Sequence, residues 1–236
     1  MMEAVVLAGG LGTRLRDLVP DVPKSMAPIS GRPFLEILLA ALARKRCVRV
    51  VLSLGYKAES VVDHFGDRFA GMELVYEIEQ APLGTGGALR RALARCQTDP
   101  AFVFNGDTYL DLEVSEIEAQ WRQNRLPIIV AREVPDTARY GCLDTVGGHV
   151  IGFLEKGVAD RGLINAGCYV FPRAITSEFP GDDAFSLERD FLMKAVSRSP
   201  FQVFVSRGQF IDIGVPEDYA RAQVELAEIG SGHTGR

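Results

Sequence analysis

The stretch Leu7-Ala8-Gly9-Gly10-Leu11-Gly12-Thr13-Arg14-Leu15 overlaps the end of a short segment, Glu3–Ala8, that is typical of a buried strand. Its glycines let the backbone approach a ligand closely, and its successive amide groups form a concavity that binds anions. Arg14 adds a planar guanidinium suited to phosphate oxygens. The pattern predicts a phosphate-binding loop after the first strand, although an ordinary tight turn also fits these residues.

Two common phosphate-binding motifs do not match this loop. The dinucleotide-binding fingerprint requires a third glycine three residues after the second, and this chain has Leu15 there. The Walker loop requires a Gly-Lys-Ser/Thr sequence, which the stretch lacks. The loop is therefore either an anion-binding loop of another kind or an ordinary tight turn.

Outward from the loop, strand-like and helix-like segments alternate through the first half of the chain. The predicted elements after Glu3–Ala8 are helix Phe34–Lys45, strand Arg49–Leu54, helix Ala58–Phe65, strand Leu74–Glu77, helix Gly86–Ala94 and strand Ala101–Asn105. This alternation indicates βαβ units and a mostly parallel sheet, in which ligands bind beyond the carboxyl ends of the strands. The loop after Ala8 and the Gly106-Asp107 turn both fall at that edge.

The second half of the chain has a different pattern. Short strand-like runs are separated by turn residues, and a helix closes the chain; these segments are Pro127–Arg132, Cys142–Val146, Val150–Glu155, Cys168–Phe171 and the helix Pro216–Glu228. We expect mixed and antiparallel strands that form a substrate-binding lobe. The simplest organisation is one domain with two lobes over residues 1–228 and a flexible tail over 229–236.

Composition limits the class of protein. The chain has 236 residues, 47% of them hydrophobic and 24% charged, which is typical of one folded α/β domain with a sizeable core. A formal net charge of -5 argues against nucleic acid as a partner. The sequence shows neither a signal peptide nor an apolar run of about 18 residues, so we expect no membrane span and a cytoplasmic location.

The remaining composition signals are weak. The four cysteines and three histidines are too scattered to suggest a zinc site, a redox pair or a triad; they are Cys47, Cys96, Cys142, Cys168, His64, His149 and His233. We expect the cysteines to be reduced and buried. The apolar segment Phe34–Leu39 and the apolar faces of the second half fit either a homodimer interface or the core.

Three further features bear on an anionic ligand. Lys24, in Val22-Pro23-Lys24-Ser25-Met26, is either a solvated loop charge or a second cation for a triphosphate. The turn Pro82–Ala88 has three glycines within four positions at the start of a helix, which favours an anion and leaves room for a planar base. A helix cap by Thr85 is the structural alternative for that residue.

Two aspartates follow predicted strands. Asp107 comes after Asn105-Gly106, and Asp212 precedes Ile213-Gly214. Carboxylates at a ligand-binding sheet edge are natural Mg²⁺ ligands, although an aspartate beside a glycine is also common in turns. Together with the two glycine-rich loops and the two cations, they predict a site for a metal and a nucleotide.

These residues together resemble the sugar-1-phosphate nucleotidyltransferases, or nucleotide-diphospho-sugar pyrophosphorylases. The shared motifs are Leu7–Leu15, the Pro23-Lys24 pair, the Gly106-Asp107 turn and the late Asp212, so the resemblance covers most of the chain. Within that family the sequence is most similar to the D-glycero-α-D-manno-heptose 1-phosphate guanylyltransferases, through the stretches Met26–Phe34, Leu54–Ala58, Pro82–Gly87 and Phe210–Tyr219. Ser25 departs from the usual pattern and puts the stiffness of its loop in question.

The resemblance implies a fold and a reaction. The fold would be α/β, with a Rossmann-like, mostly parallel mixed sheet flanked by helices. The reaction would be Mg²⁺-dependent transfer of a nucleoside monophosphate, from GTP, to D-glycero-α-D-manno-heptose 1-phosphate. It would release pyrophosphate and make a nucleotide sugar for bacterial surface polysaccharide. The alternatives are a mannose-1-phosphate guanylyltransferase, a uridylyl- or thymidylyltransferase, and an inactive regulatory homologue.

The resemblance also implies roles for individual residues. Arg14, Lys24 and Asp107 would be catalytic, and Asp107 and Asp212 would bind Mg²⁺. The nucleotide would lie against Leu7, Gly9, Gly10, Gly12, Thr13, Gln80, Gly84 and Gly86. The sugar phosphate would lie against Tyr140, Gly141, Glu155, Lys156, Asn165 and Gly167. From the residues alone, Glu155-Lys156 could equally be an exposed charge pair, and Asn165 a turn residue.

Overall fold

The computed structural model describes residues 2–10, 15, 19–138, 140–154, 161–227 and 229. In these residues the strands, in chain order, are β1 (Met2–Leu7), β2 (Pro28–Ile29), β3 (Arg32–Pro33), β4 (Cys47–Leu54), β5 (Arg68–Phe69), β6 (Met72–Ile78), β7 (Ala101–Asn105), β8 (Thr108–Leu110), β9 (Ile128–Val134), β10 (Cys142–Val146), β11 (His149–Leu154), β12 (Gly162–Phe171), β13 (Phe201–Ser206) and β14 (Phe210–Asp212).

The α-helices are α1 (Phe34–Arg44), α2 (Ala58–Phe65), α3 (Gly84–Arg95), α4 (Val114–Asn124), α5 (Met193–Ala195) and α6 (Pro216–Glu225). Tighter 3₁₀ turns occur at Lys24–Met26 and Arg173–Glu178, and a π-helical segment, Leu187–Leu192, leads into α5. Within the part of the chain that the structure describes, none of these helices is long and apolar enough to cross a membrane.

One large mixed sheet runs through both halves of the molecule. Its strand order is β10-β11-β13-β9-β12-β7-β1-β4-β6-β5. Strands β7, β1, β4 and β6 are mutually parallel, so their carboxyl ends meet at one edge. Strand β12 runs antiparallel between β7 and β9, whereas β9 and β13 are parallel. The second half is therefore mixed, as expected, and continues the sheet of the first.

Both faces of the sheet are covered because its central strands are apolar throughout. On β1, Ala4 and Val6 pack into the cluster that holds the apolar side chains of α1, α2 and α4. Val5 points to the opposite face, into the cluster formed by α3 and the segment around Phe191. Helices on both faces of a mostly parallel core define the predicted α/β architecture, which is confirmed.

The predicted elements agree with the structure in type and differ mainly at their ends. Strand β12 begins six residues before the predicted Cys168–Phe171, and α3 begins at Gly84, two residues before the predicted start. Helix α6 ends at Glu225 rather than Glu228. Helix α4 and strand β13 were missing from the prediction. The segment Phe34–Leu39 lies in the core, with Phe34, Leu35 and Leu39 fully buried.

Two further features bear on the predictions, the last described residue of the chain and the cysteines. Ile229 packs against the cluster beneath α6, and its carbonyl accepts a 2.9 Å hydrogen bond from Arg32. Residues 230–236 lie outside the described part of the chain. All four cysteines are free thiols; Cys47, Cys96 and Cys168 are buried and Cys142 is half-buried.

Candidate active site

A pocket of about 520 Å³ lies at the carboxyl ends of the four parallel strands. Its walls come from the loops that follow β1, β4 and β6, from Asn105 to Asp107 after β7, and from the first turn of α3. The volume is in the range of small-molecule sites, and the position is the edge at which open α/β sheets bind ligands. The sequence prediction that the loop after Ala8 and the Gly106-Asp107 turn share one edge is confirmed.

The loops after β1 and β4 touch each other through glycine. A Cβ atom on Gly9 would lie 2.6 Å from Glu79 Oε1, and one on Gly55 would lie 2.8 Å from the carbonyl oxygen of Gly9. Larger residues at either position would force the two loops apart. Gly9 and Gly10 therefore bring the main chain itself to the pocket wall, as predicted for an anion-binding loop.

Lys24 and Asp107 form an ion pair in the pocket. Lys24 Nζ lies 2.6 Å from Asp107 Oδ2, and the lysine side chain is only 13% exposed. The 3₁₀ turn fixes the lysine, because the amide of Met26 donates to the carbonyl of Pro23 at 2.8 Å. Ser25 is buried in the same turn. Lys24 therefore lines the pocket and is not a solvated loop charge.

Asp212 lies beside Asp107 because β14 pairs with β8. Asp212 is opposite Thr108, and the amide of Ile213 donates to the carbonyl of Asp107 at 3.0 Å. Burial raises the pKa of Asp212, and the negative charge of Asp107 raises it further. The Asp212 carboxylate accepts a 2.7 Å hydrogen bond from Gly214 N. Two neighbouring carboxylates thus share the cation Lys24.

This pair of carboxylates fits a divalent ion. Among the described residues, no three His, Cys, Asp or Glu side chains are grouped to hold a metal. Mg²⁺ needs no such group, since it binds through one or two carboxylates and takes its other ligands from phosphate and water. Burial, and then the charge of Asp107, raises the pKa of Asp212, and a cation bound between the two carboxylates would favour their charged forms.

The glycines at the start of α3 have a steric reason within the protein. Gly84 has φ +65°, and a Cβ atom there would lie 2.5 Å from the carbonyl oxygen of Phe185. A Cβ atom on Gly86 would lie 2.1 Å from the ring of Phe185. Gly84 lines the pocket, but Gly86 is buried behind it. At Gly86, packing against Phe185 rather than room for a base explains the glycine.

Thr85 does not cap α3. Its hydroxyl oxygen instead accepts a 2.9 Å hydrogen bond from the amide of Leu187, on the segment that packs over the glycines. The helix has no side-chain cap, and Leu83 precedes it. The structural alternative considered for Thr85 is therefore wrong, and the threonine fastens two distant segments together.

Sequence reasoning missed several residues of the pocket, of which Glu79 has the most distinctive chemistry. Glu79 follows β6, lines the pocket beside Gln80, and accepts a 3.0 Å hydrogen bond from Leu83 N. Burial raises the pKa of its carboxyl. Tyr56 and Asn105 also line the pocket. All three follow or end a parallel strand, and that position is the signal that could have identified them.

Two of the residues predicted to bind the sugar phosphate, Asn165 and Gly167, lie beside this pocket, next to Asn105. Asn165 and Gly167 form an irregularity in β12, and a Cβ atom on Gly167 would lie 2.6 Å from the side-chain nitrogen of Asn105. Tyr140, next to Gly141, packs its ring against Phe210 with a centroid separation of 6.5 Å. Phe210 is two residues before Asp212 on β14. The predicted residues Gly12, Thr13, Arg14, Glu155 and Lys156 lie outside the described residues.

Comparisons with known proteins agree with this geometry. The nucleotidyl transferase family model matches residues 3–229. A D-glycero-alpha-D-manno-heptose 1-phosphate guanylyltransferase from Aneurinibacillus thermoaerophilus is 39% identical over 226 residues, covering 95% of this chain and 98% of the relative. A protein of the same name from Campylobacter jejuni is 39% identical over 220 residues, covering 92% and 97%.

A solved structure is similarly close. HddC from Yersinia pseudotuberculosis, complexed with GMP-PN, is 40% identical and superposes with a TM-score of 0.85 over 94% of this chain and 98% of that chain. The similarity thus extends over nearly the whole length of both chains. From the match of nearly its full length, the chain belongs to the nucleotidyl transferase family.

Proposed function

We propose that this enzyme transfers GMP from GTP to D-glycero-α-D-manno-heptose 1-phosphate and releases pyrophosphate. The observation that carries the proposal is the Lys24–Asp107 pair beside Asp212, at the wall of a pocket built by strand-end loops. The relatives of that name, 39% identical over nearly their full length, support the choice of substrates.

The nucleotide would occupy the pocket between the β1 loop and α3. The main chain at Gly9 and Gly10 would bind phosphate oxygens, together with Gly12, Thr13 and Arg14. Leu7, Gln80 and Gly84 line the remainder. Guanine presents N–H donors on its Watson–Crick edge, and an ionised carboxylate only accepts hydrogen bonds. Glu79 therefore suits guanine better than a base that presents acceptors there.

The reaction is an in-line displacement at the α-phosphorus of GTP. A phosphate oxygen of the sugar 1-phosphate forms the new P–O bond, and the bond to pyrophosphate breaks with its electrons remaining on the leaving group. The attacking oxygen is already anionic, so no side chain has to remove a proton. The main obstacle is repulsion between two polyanions, and catalysis comes from positioning and charge neutralisation.

The cationic residues, with the metal held by its ligands, would neutralise phosphate charge, and the remaining residues would orient the sugar. Lys24, held 2.6 Å from Asp107, would place its ammonium group at the α-phosphate. Arg14 would bind the leaving pyrophosphate, and Lys156 the phosphate of the sugar. Asp107 and Asp212 would hold Mg²⁺, which when bound neutralises phosphate charge. Tyr140, Gly141, Glu155, Asn165 and Gly167 would orient the sugar.

A substrate panel tests the proposal. Four nucleoside triphosphates are each combined with heptose, mannose, glucose and amino-sugar 1-phosphates, with Mg²⁺, and pyrophosphate release is measured. We expect the highest kcat/KM for GTP with D-glycero-α-D-manno-heptose 1-phosphate. A higher kcat/KM for another triphosphate or another sugar would overturn that half of the substrate assignment. No release with any pair would overturn the reaction.

A further inference from the structure

A three-residue polar cluster lies behind the predicted sugar site. Asn165 Nδ2 donates to the hydroxyl of Tyr169 at 2.8 Å and to Glu188 Oε1 at 3.0 Å. The Tyr169 hydroxyl donates to the same Glu188 oxygen at 3.2 Å. Tyr169 is fully buried, whereas Glu188 lies on the exposed side of the π-helical segment. These bonds connect β12 to a segment 23 residues further along the chain.

The carboxylate fixes the direction of every bond in the cluster. An ionised carboxylate accepts hydrogen bonds and donates none, so the group that faces it must be the NH₂ end of the Asn165 amide. Burial, and then the charge of Glu188, raises the pKa of Tyr169 well above its usual value, so the phenol keeps its proton for Glu188. The orientation of the amide follows from these partners.

This arrangement determines what Asn165 can offer a ligand. Both hydrogens of Nδ2 are engaged by Tyr169 and Glu188. Oδ1 accepts a 3.1 Å bond from the amide of Gly167 and has a second lone pair. Asn165 is therefore set to accept a hydrogen bond, as from a sugar hydroxyl, and not to donate one to a phosphate.

The segment that holds Glu188 is itself fastened to the nucleotide side. The amide of Leu187 donates to Thr85 Oγ1 at 2.9 Å, and the amide of Gly86 donates to the carbonyl of Phe185 at 2.9 Å. Ser186 caps the segment by accepting a bond from Arg189 N. Glu188 thus stands on a fixed support that spans the first turn of α3 and β12.

We propose that Glu188 is a positioning residue for the sugar 1-phosphate, acting through Asn165, whose amide it holds with the oxygen available to a sugar hydroxyl. This inference rests on the proposed function of the same site. Glu188 needs no contact with the substrate for this role. Its loss affects recognition of the sugar and leaves the nucleotide side unchanged.

Substitution of Glu188 by glutamine tests the proposal. Glutamine can donate as well as accept, so the Asn165 amide is free to turn over. We expect the KM for the sugar 1-phosphate to rise about tenfold, the loss of one charge-assisted hydrogen bond, with the KM for the nucleotide unchanged. Tyr169→Phe, which removes the two bonds of the hydroxyl but leaves the bond from Asn165 to Glu188 in place, gives a second variant with a smaller rise of about threefold. Glu178→Gln, at an exposed glutamate ten residues earlier, is the matched control and stays at wild-type values.

A double-mutant cycle separates positioning from a general structural effect. In an Asn165→Ala background, Glu188→Gln is expected to change the sugar KM by less than about twofold, because the residue it acts through is gone. An equal rise in both backgrounds overturns the proposal, and so does a Glu188→Gln variant indistinguishable from the Glu178→Gln control. The comparison uses whichever substrate pair the wild-type enzyme accepts. A failure of the GTP or heptose assignment is thus seen in the wild type, independently of Glu188.

Discussion

A carboxylate lies near each end of the parallel strands, buried at Glu3 and half-buried at Asp212, and the two ends differ in how that charge is matched. At the amino end, Glu3 accepts hydrogen bonds from Gln97 N at 2.7 Å, Thr98 N at 2.8 Å and Thr98 Oγ1 at 3.1 Å. It also pairs with Arg49. Burial alone would raise the pKa of Glu3, but the bonds from Thr98 and Gln97 and the arginine outweigh burial, and the pKa is lowered.

At the carboxyl end, the pKa of Asp212 is shifted in the opposite direction. Burial and the neighbouring Asp107 together raise the pKa of Asp212, and Lys24 only partly offsets them. The charge of Glu3 is balanced within the protein, whereas the charge of Asp212 is only partly offset by Lys24. A carboxylate with a lowered pKa stabilises the fold, and one with a raised pKa marks a place where a ligand is expected. The two ends of one set of strands thus separate stability from function.

Asp107→Asn is expected to show the largest effect, on catalysis alone. The substitution keeps the shape of the side chain and removes the charge that pairs with Lys24 and that would hold Mg²⁺ in the proposed reaction. We expect kcat for pyrophosphate release to fall about 10²–10³-fold, with the free energy of unfolding changed by less than about 1 kcal/mol. Stopped-time assays and urea titrations measure the two quantities.

Asp111→Asn is the matched control for that variant. Asp111 lies just after β8, the strand that Asp107 precedes. Its side chain is 46% exposed and pairs with Lys45 at 2.7 Å. Its substitution should leave kcat within about twofold, since exposed ion pairs contribute about 0–1 kcal/mol. Near-wild-type kcat for Asp107→Asn would show that the carboxyl end does not carry the chemistry.

Glu3→Gln is expected to produce the complementary result, a loss of stability with catalysis intact. Glutamine keeps only one acceptor oxygen, so either Arg49 or the amides of Gln97 and Thr98 must face an NH₂ group that cannot accept, and Arg49 also loses its buried charged partner. We expect the free energy of unfolding to fall by about 2–4 kcal/mol. The folded fraction should keep the kcat of the wild type.

The neighbouring acid Glu73 provides the control. Glu73 contacts the same arginine at 3.1 Å, but its side chain is 51% exposed. Glu73→Gln should therefore cost no more than about 1 kcal/mol. Equal losses in the two variants, measured by urea denaturation, would mean that burial of Glu3 and its backbone bonds add nothing.

Much of the carboxyl end follows from local sequence, because its loops come directly after apolar strands. Strand β1 and helix α2 are visible as periodic apolar patterns, and Gly9 and Asp107 stand next to strand ends. Helix α4 was missed because it buries only Ile117 and Trp121, which leaves a narrow apolar stripe. The periodic pattern of apolar residues therefore predicts a helix or strand reliably where the element buries a wide apolar face.

What sequence could not show depends on contacts between distant residues. Phe185 occupies the space beside Gly86 from about a hundred positions away, so the glycine was assigned to a ligand. Glu188 reaches Asn165 across 23 residues. Glu3 looked like an ordinary residue at the start of a strand, although its partners lie in the turn after α3. Register and packing bring these groups together, and neither is encoded in a short window.

The stabilisation by Glu3 is expected to depend on pH in one direction. The folded-state pKa of Glu3 lies below the ordinary value of 4.5, so its contribution is complete above that pH and is lost as pH falls through the folded-state pKa. The difference in unfolding free energy between wild type and Glu3→Gln should be constant near neutrality and shrink below about pH 4.5. Urea titrations at a series of pH values measure it. A difference that grows on acidification would contradict the lowered pKa.

Asp212→Asn is expected to give the smallest effect and the most direct test of the contrast between the two ends. The substitution removes a charge that Asp107 repels and retains the oxygen that accepts from Gly214. The ligand-free protein should therefore gain about 0.5–1 kcal/mol in unfolding free energy, while the rise in melting temperature produced by Mg²⁺ and GTP is lost. Asp218→Asn is the control, because that buried carboxylate lies 3.0 Å from Arg221 Nη1 and its loss should destabilise. If Asp212→Asn destabilises the ligand-free protein as much as Asp218→Asn does, Asp212 is a structural carboxylate like Glu3, and the carboxyl end holds its charges for the fold rather than for a ligand.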